Sequence, residues 1–305
     1  MSYGCHGIVV TKRMQERIDP LIEERAPWLF KGTPVSDVSR KALTALLGYP
    51  RTIAIGERIQ HHTAPAIFEE MSRILARDVE AEGLRNIPRS GPALIVANHP
   101  TGIADGIMLW SQLGAIRPDL FFYANRDINR VLPQMDQMIA PVEWREDKRS
   151  HGKTRETMAF TRSAIDQGRL GIIFPSGRLA KRRGLKLHER PWMASAAMIA
   201  RKFDLPVIPI NIRARNSVLF YLFDLIHPTL RDITLFHETL NKGSQPYRIT
   251  VGTPIDPKTL PVKSDESIEV LRKETLALGG EYAPTVSLVA NTRRPKWARS
   301  LVDGI

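Results

Sequence analysis

With one cysteine, Cys5, in 305 residues, the chain has no partner for an internal disulfide. The same count excludes a zinc or iron–sulfur site built from cysteines and fits a reducing compartment. Also missing is the run of about 18 to 20 nearly uninterrupted apolar residues that a membrane-spanning helix needs. The best candidates break early: 193–199 runs into Arg201 and Lys202, and 218–226 contains Asp224. The N-terminus, MSYGCHGIVVTKRMQERIDP, lacks a positive flank, long apolar core and cleavage site in secretory order. A cytoplasmic protein is expected, with any membrane contact peripheral and on the inner face. No Gly-x-Ser-x-Gly elbow is present, and Gly152-Lys-Thr154 is not a phosphate loop, because Asp147 stands where its first glycine should be. His61-His62 has no cysteine or spaced acid nearby, so no metal site is expected.

Acidic residues are the next shortage. Asp and Glu total 32 against 44 Lys and Arg, a formal charge of +12, so a polyanionic partner is expected. Nucleic acid, an anionic membrane and an acidic carrier protein all meet that description. Nucleic acid is set aside because no docking module and no interleaving of basic residues with aromatics is visible.

Residues 1–80 read as helical segments broken at Pro20, Pro27, Pro34, Pro50 and Pro65, with Ile67, Met71, Ile74 and Leu75 at helical spacing. Beyond them the pattern changes. Short apolar runs at 93–97, 120–124, 170–174, 207–212 and 247–251 read as buried strands, separated by stretches long enough for crossover helices. The fold class is therefore α/β: a mixed, mostly parallel sheet flanked by helices, with an N-terminal helical layer (1–80), an α/β domain (81–260), and a C-terminal helix and basic tail (261–305). The last helix is predicted over 264–278, opening on Ser264, Asp265 and Glu266 and stopping at Gly279-Gly280. The tail carries Arg293, Arg294, Lys296 and Arg299 with no acid among them.

Two stretches could carry chemistry. Asn98-His-Pro-Thr-Gly-Ile-Ala-Asp-Gly106 follows the first confident strand, where α/β folds expose reactive groups. His99 and Asp105 could be a general base and its carboxylate partner, or Asp105 could simply cap the next helix. Phe174-Pro-Ser-Gly-Arg178 is followed by Lys181, Arg182 and Arg183, a strand, a turn and a basic cluster. Such a turn can cradle an anion, or the charges can form a solvated face.

In order and content, residues 82–100, then 174–178, then Val207-Ile-Pro-Ile-Asn211, resemble the glycerolipid and lysophospholipid acyltransferase family over about 80–256. The resemblance implies that His99 deprotonates an acceptor hydroxyl, which attacks an acyl thioester, and that Asp105 orients His99. It also implies an arginine holding phosphate, either Arg126 or Arg145, with Gly177, Arg178 and Lys181 binding acceptor or donor. The donor would be acyl-CoA or acyl carrier protein, with no resident cofactor. The acceptor would be glycerol 3-phosphate or lysophosphatidate, presented at an anionic membrane surface.

Two features depart from the family. Five residues separate His99 from Asp105 where the family usually has four, which the loop must absorb, with Gly102 the candidate. The third block has Ser176 in place of its usual Glu and lacks the residue between Gly177 and Arg178. Both are compatible with another acceptor, such as a lyso-aminolipid, or with a lipid-binding relative that has lost activity.

Overall fold

The computed structural model describes residues 13–143, 150–226, 228–280 and 283–289. Cys5, Arg145 and the basic tail lie outside them.

Strand β2 (Ala93–Ala97) shows how the sequence makes the sheet. All five side chains are buried, and they alternate between two cores. Ala93, Ile95 and Ala97 join one cluster, while Leu94 and Val96 join the other. Burial on both faces is what a continuous apolar run in a parallel sheet encodes. Each fully buried Leu, Ile or Val contributes about 1.5–3 kcal/mol.

Around it lie β1 (Val79–Glu82), β3 (Phe121–Asn125), β4 (Ile139–Val142), β5 (Leu170–Ile173), β8 (Val207–Arg213) and β9 (Tyr247–Val251). Their order is β1-β9-β8-β2-β5-β3-β4. Every neighbouring pair is parallel except β8 with β9, so β1 and β9 run against the rest. A second, small sheet holds the hairpin β6 (Lys181–Arg183) and β7 (Lys186–His188), with β10 (Thr285–Ser287) beside β7. Strands β1, β4, β6 and β7 are short and carry charge or proline, and β10 is a three-residue Thr-Val-Ser, so no apolar run announces them.

The N-terminal layer comprises α1 (Met14–Arg25), α2 (Pro34–Leu46), α3 (Tyr49–Ile59) and α4 (Ala64–Leu75). Pro34, Pro50 and Pro65 lie in helical first turns, where a missing N–H costs nothing, and Pro27 opens a 3-10 turn. Pro20 differs from expectation: it sits inside α1 and does not break it. The lost hydrogen bond is tolerated because Met14, Ile18 and Leu21 anchor the buried face. Those residues share the first core cluster with Ile95 and Ile208 of the sheet.

On that side also lies α5 (Ile103–Leu113), and the short α6 (Asp127–Val131) follows β3. The other face is covered by α7 (His151–Asp166), α8 (Ser195–Lys202) and α12 (Ser264–Ala277). Ile268 and Leu271 of α12 belong to the second core cluster. Between β8 and β9 come α9 (Val218–Ile226), α10 (Pro228–Ile233) and α11 (Leu235–Leu240). Among the described residues no helix is long and apolar enough to cross a membrane.

Candidate active site

Strand β2 delivers Asn98 and His99 at its C-terminal end. The buried Asn98 side chain donates to the Ile212 carbonyl at 2.8 Å and accepts the Ile212 N–H at 2.7 Å, tying the strand end to β8. The next carbonyl, of His99, accepts the Ala180 N–H at 3.0 Å. The loop then turns at Gly102, whose φ of +101° is open to glycine and costly for other residues. That conformation absorbs the fifth residue between His99 and Asp105. It brings Asp105 Oδ2 to 3.0 Å from His99 Nδ1, with Asp105 fully buried.

Asp105 serves both purposes that its position allows. Its Oδ2 accepts the N–H of Thr101 at 2.9 Å and of Gly102 at 3.1 Å, capping the start of α5. Its Oδ1 accepts the Thr101 hydroxyl. That hydroxyl lies 2.6 Å from the Tyr247 hydroxyl. The single Thr101 proton points to the carboxylate, so Tyr247 donates to Thr101. Burial, then the nearby Asp105 charge, pushes the Tyr247 phenol well above its ordinary pKa and keeps it a donor. The Nδ1 contact is close, but Nδ1 makes no hydrogen bond of regular geometry. Such alignment commonly tightens only when substrate is bound. His99 also stacks on Phe174, with ring centroids 4.3 Å apart.

Glu189 is a member of this site that no motif points to. It is buried, and its Oε2 accepts the His99 backbone N–H at 3.2 Å while its Oε1 accepts the Trp192 indole N–H at 3.0 Å. The Ser176 hydroxyl reaches both this carboxylate and the Arg178 carbonyl, at 2.8 Å from the latter. Burial pushes the Glu189 carboxyl up, against those hydrogen bonds. A carboxylate missing from the 174–178 turn is thus supplied from thirteen residues beyond Ser176. The available signal was a lone acid inside a run of six cations.

His99 lines a cavity of about 1870 Å³. One part is apolar, walled by Met14, Ile18, Ile59, Phe68, Ile107 and Met135 from the N-terminal helices, α5 and the turn before β4. Another is basic, with Arg178, Lys181, Arg182, Arg190 and Arg231. Arg190 is held below the usual guanidinium range by burial and then by the like charges of Arg178 and Arg231. An anion placed among them would relieve that repulsion.

The remaining sequence candidates divide. Gly177 lines the cavity with φ +60°, but its N–H is committed to the Phe174 carbonyl at 2.9 Å, so the cations here are side chains and not a free backbone cradle. Arg126 is not on the cavity wall; it pairs with Glu156 on the protein surface. The arginine that does line the cavity next to this segment is Arg25 of α1, 2.8 Å from Asp127. Among the described residues no group of three or more metal-ligating side chains clusters.

Residues 78–213 match the family model described as Acyltransferase. A lyso-glycine lipid O-acyltransferase from Phocaeicola vulgatus is 24% identical over 194 residues, covering 62% of this chain and 68% of its own. A protein of the same description from Bacteroides thetaiotaomicron is 21% identical over 244 residues, covering 78% of this chain and 87% of its own. The structure of the 1-acyl-sn-glycerophosphate acyltransferase PlsC from Thermotoga maritima aligns with 79% of this chain and 95% of its own, at 16% identity and a TM-score of 0.47. The matched segment contains β2, the His99–Asp105 loop, the Phe174–Arg178 turn and β8, so the likeness to acyltransferases falls on the part of the chain that builds this site.

Proposed function

We propose that the protein transfers a fatty acyl group from a thioester donor, acyl-CoA or acyl carrier protein, to a hydroxyl of a lysolipid. One observation carries this reading: His99, backed by the buried Asp105, lines a single cavity whose wall has both an apolar and a cationic part. That combination suits an amphiphile with a long chain and an anionic head.

With Nδ1 turned to Asp105, Nε2 is the ring nitrogen left for substrate. It takes the proton of the acceptor hydroxyl as the oxygen attacks the thioester carbonyl, and Asp105 stabilises the imidazolium formed. The tetrahedral intermediate collapses, the carbon–sulfur bond breaks, and the departing sulfur recovers the proton from His99. A thioester is already activated, so neither a covalent protein intermediate nor a resident cofactor is required. Arg178, Arg190 and Lys181 hold phosphate, and the apolar wall holds an acyl chain.

Glycerol 3-phosphate and lysophosphatidate meet the cationic requirement. A lyso-aminolipid acceptor is favoured by a separate observation, the description of the Phocaeicola vulgatus and Bacteroides thetaiotaomicron relatives as lyso-glycine lipid O-acyltransferases. Thiol release from palmitoyl-CoA, with wild type beside His99→Ala and each acceptor in turn, tests the reading. Acceptor-dependent release that the substitution abolishes supports it. No release with any acceptor, repeated with acyl carrier protein as donor, sinks it in favour of a lipid-binding relative.

A further inference from the structure

Helix α9 is apolar at every position but Asp224 and Tyr221, and only part of it is covered. Phe220 is buried, and Leu219 and Phe223 pack against the small core formed by Ala26, Leu29, Leu47 and Ile233. The opposite side exposes Val218 (85%), Leu222 (50%), Leu225 (65%) and Ile226 (62%). Their spacing of four, three and one places them on one face of the helix.

The β6–β7 hairpin is tied to this helix. Arg182 of β6 approaches Asp224 of α9 at 4.0 Å, and Asp224 also takes Arg231 of α10 at 3.2 Å. The hairpin turns at Gly184-Leu185, with Gly184 at φ +57°. Leu185 at the tip is 67% exposed, flanked by exposed Arg183 and Lys186, with exposed Lys181 two positions before Arg183. An apolar tip between cations beside an apolar helix face is how a protein surface engages an anionic bilayer: the apolar groups enter the headgroup boundary and the cations meet lipid charge.

Position strengthens the case. Arg182, Phe220, Tyr221 and Asp224 line the cavity that holds His99, so the hairpin and α9 both border it. Helix α2, joined to α9 through Leu43 and Leu47 in the same small core, adds exposed Val35, Val38 and Leu46. We infer that the exposed side of α9 and the tip of the β6–β7 hairpin form a docking face for an anionic phospholipid bilayer, bringing a membrane-resident lipid to the cavity that both elements border. The inference rests on the lipid substrate proposed above, but its test does not depend on turnover.

The experiment is co-sedimentation of the full-length protein with vesicles of phosphatidylethanolamine and phosphatidylglycerol, beside vesicles of phosphatidylcholine alone. Wild type should prefer the anionic vesicles and lose that preference at high salt. Leu185→Glu, the pair Val218→Glu with Leu225→Glu, and the pair Arg183→Glu with Lys186→Glu should each weaken partition by about tenfold or more. None of these residues lines the cavity, so transfer between palmitoyl-CoA and a detergent-dispersed acceptor should remain near wild type. Equal partition of wild type and all three variants overturns the inference. So does unchanged vesicle binding by variants that lose self-association, which would make the face a contact between two copies, or by variants that lose only carrier-protein-dependent transfer, which would assign it to the acidic donor. Absence of transfer in every assay would instead count against the proposed reaction while leaving the partition result standing.

Discussion

The carboxylate of Glu189 accepts the backbone N–H of His99 at 3.2 Å, so the general base of the proposed reaction is positioned from its main chain as well as through its ring. Across the same residue, the Ala180 N–H reaches the His99 carbonyl at 3.0 Å. Segment 180–189 therefore holds the His99 loop from two directions. Glu189→Gln keeps the size but removes one acceptor, turning an N–H toward either His99 or Trp192. The expected result is a fall in kcat of about tenfold with KM little changed, equivalent to about 1–2 kcal/mol of lost positioning.

Stability should move differently from rate in that variant. Burial raises the Glu189 pKa in the folded protein, so its charge costs stability at pH values above the raised value. As pH falls from there toward the ordinary carboxylate value, the folded protein takes up the proton first and wild type gains stability. Glu189→Gln has no such gain. Its Tm relative to wild type should be highest near neutral pH and decline toward about pH 4.5. Parallel losses of Tm and kcat at every pH would contradict the positioning role.

Asp105→Asn tests whether capping and orienting can be separated. The amide oxygen can still accept the Thr101 and Gly102 N–H groups, and the amide nitrogen can donate to the Thr101 hydroxyl if that hydroxyl turns its proton toward Tyr247. The fold should survive, while the imidazolium loses its counter-charge. A loss of about a thousandfold or more in kcat is expected, with a circular dichroism spectrum matching wild type. Unfolding on this substitution would mean that the cap dominates.

Buried apolar strands were legible in the sequence because both of their faces are covered; β2 and β9 fall on the residues that the runs mark. The edge strands β1 and β4 and the small sheet were not legible, because their pairing is set by neighbours and not by their own apolar content. His99 and Asp105 are close in sequence, and Gly102 gives the one backbone conformation that the loop needs, so the pattern was readable. Glu189, Tyr247 and Arg25 reach the same region from distant segments, and nothing in their local sequence reports that approach. Arg126 shows the converse: a basic residue at the end of β3 satisfies the motif's position, yet its side chain turns to Glu156.

The cation cluster at the cavity predicts a binding phenotype. Arg190 is depressed by burial and by Arg178 and Arg231, so removing its charge relieves repulsion in the free protein while weakening the hold on an anionic substrate. Arg190→Gln should raise KM by about ten- to hundredfold with little change in kcat, an effect that shrinks as salt rises. The substrate whose KM moves, donor or acceptor, identifies whose phosphate sits there. Because Arg190 Nε also donates to the Leu179 carbonyl at 2.8 Å, Arg190→Lys serves as the companion: it keeps charge and loses that contact. If both variants raise KM equally, the contact with Leu179 is the cause and the anion assignment fails.

Behind the site lies a buried ion pair, Lys242 with Glu238 at 3.0 Å, both side chains essentially without solvent exposure. Burial works against the Glu238 charge, but Lys242 and two hydrogen bonds from Ser217 overcome it and hold the carboxyl below its usual range. Lys242 is pulled down by burial, against the attraction of Glu238. Removing one partner strands the other. Glu238→Gln should destabilise the protein by about 3–5 kcal/mol at neutral pH, read as a shift in the denaturant midpoint. A folded-state pKa below the unfolded one means that the wild-type carboxylate's advantage is present above the ordinary value and lost as pH falls through the depressed one. The gap between wild type and Glu238→Gln should therefore narrow below about pH 4.5. A gap that stays constant into acid would show that the destabilisation comes from repacking around Ser217 and not from the lost charge.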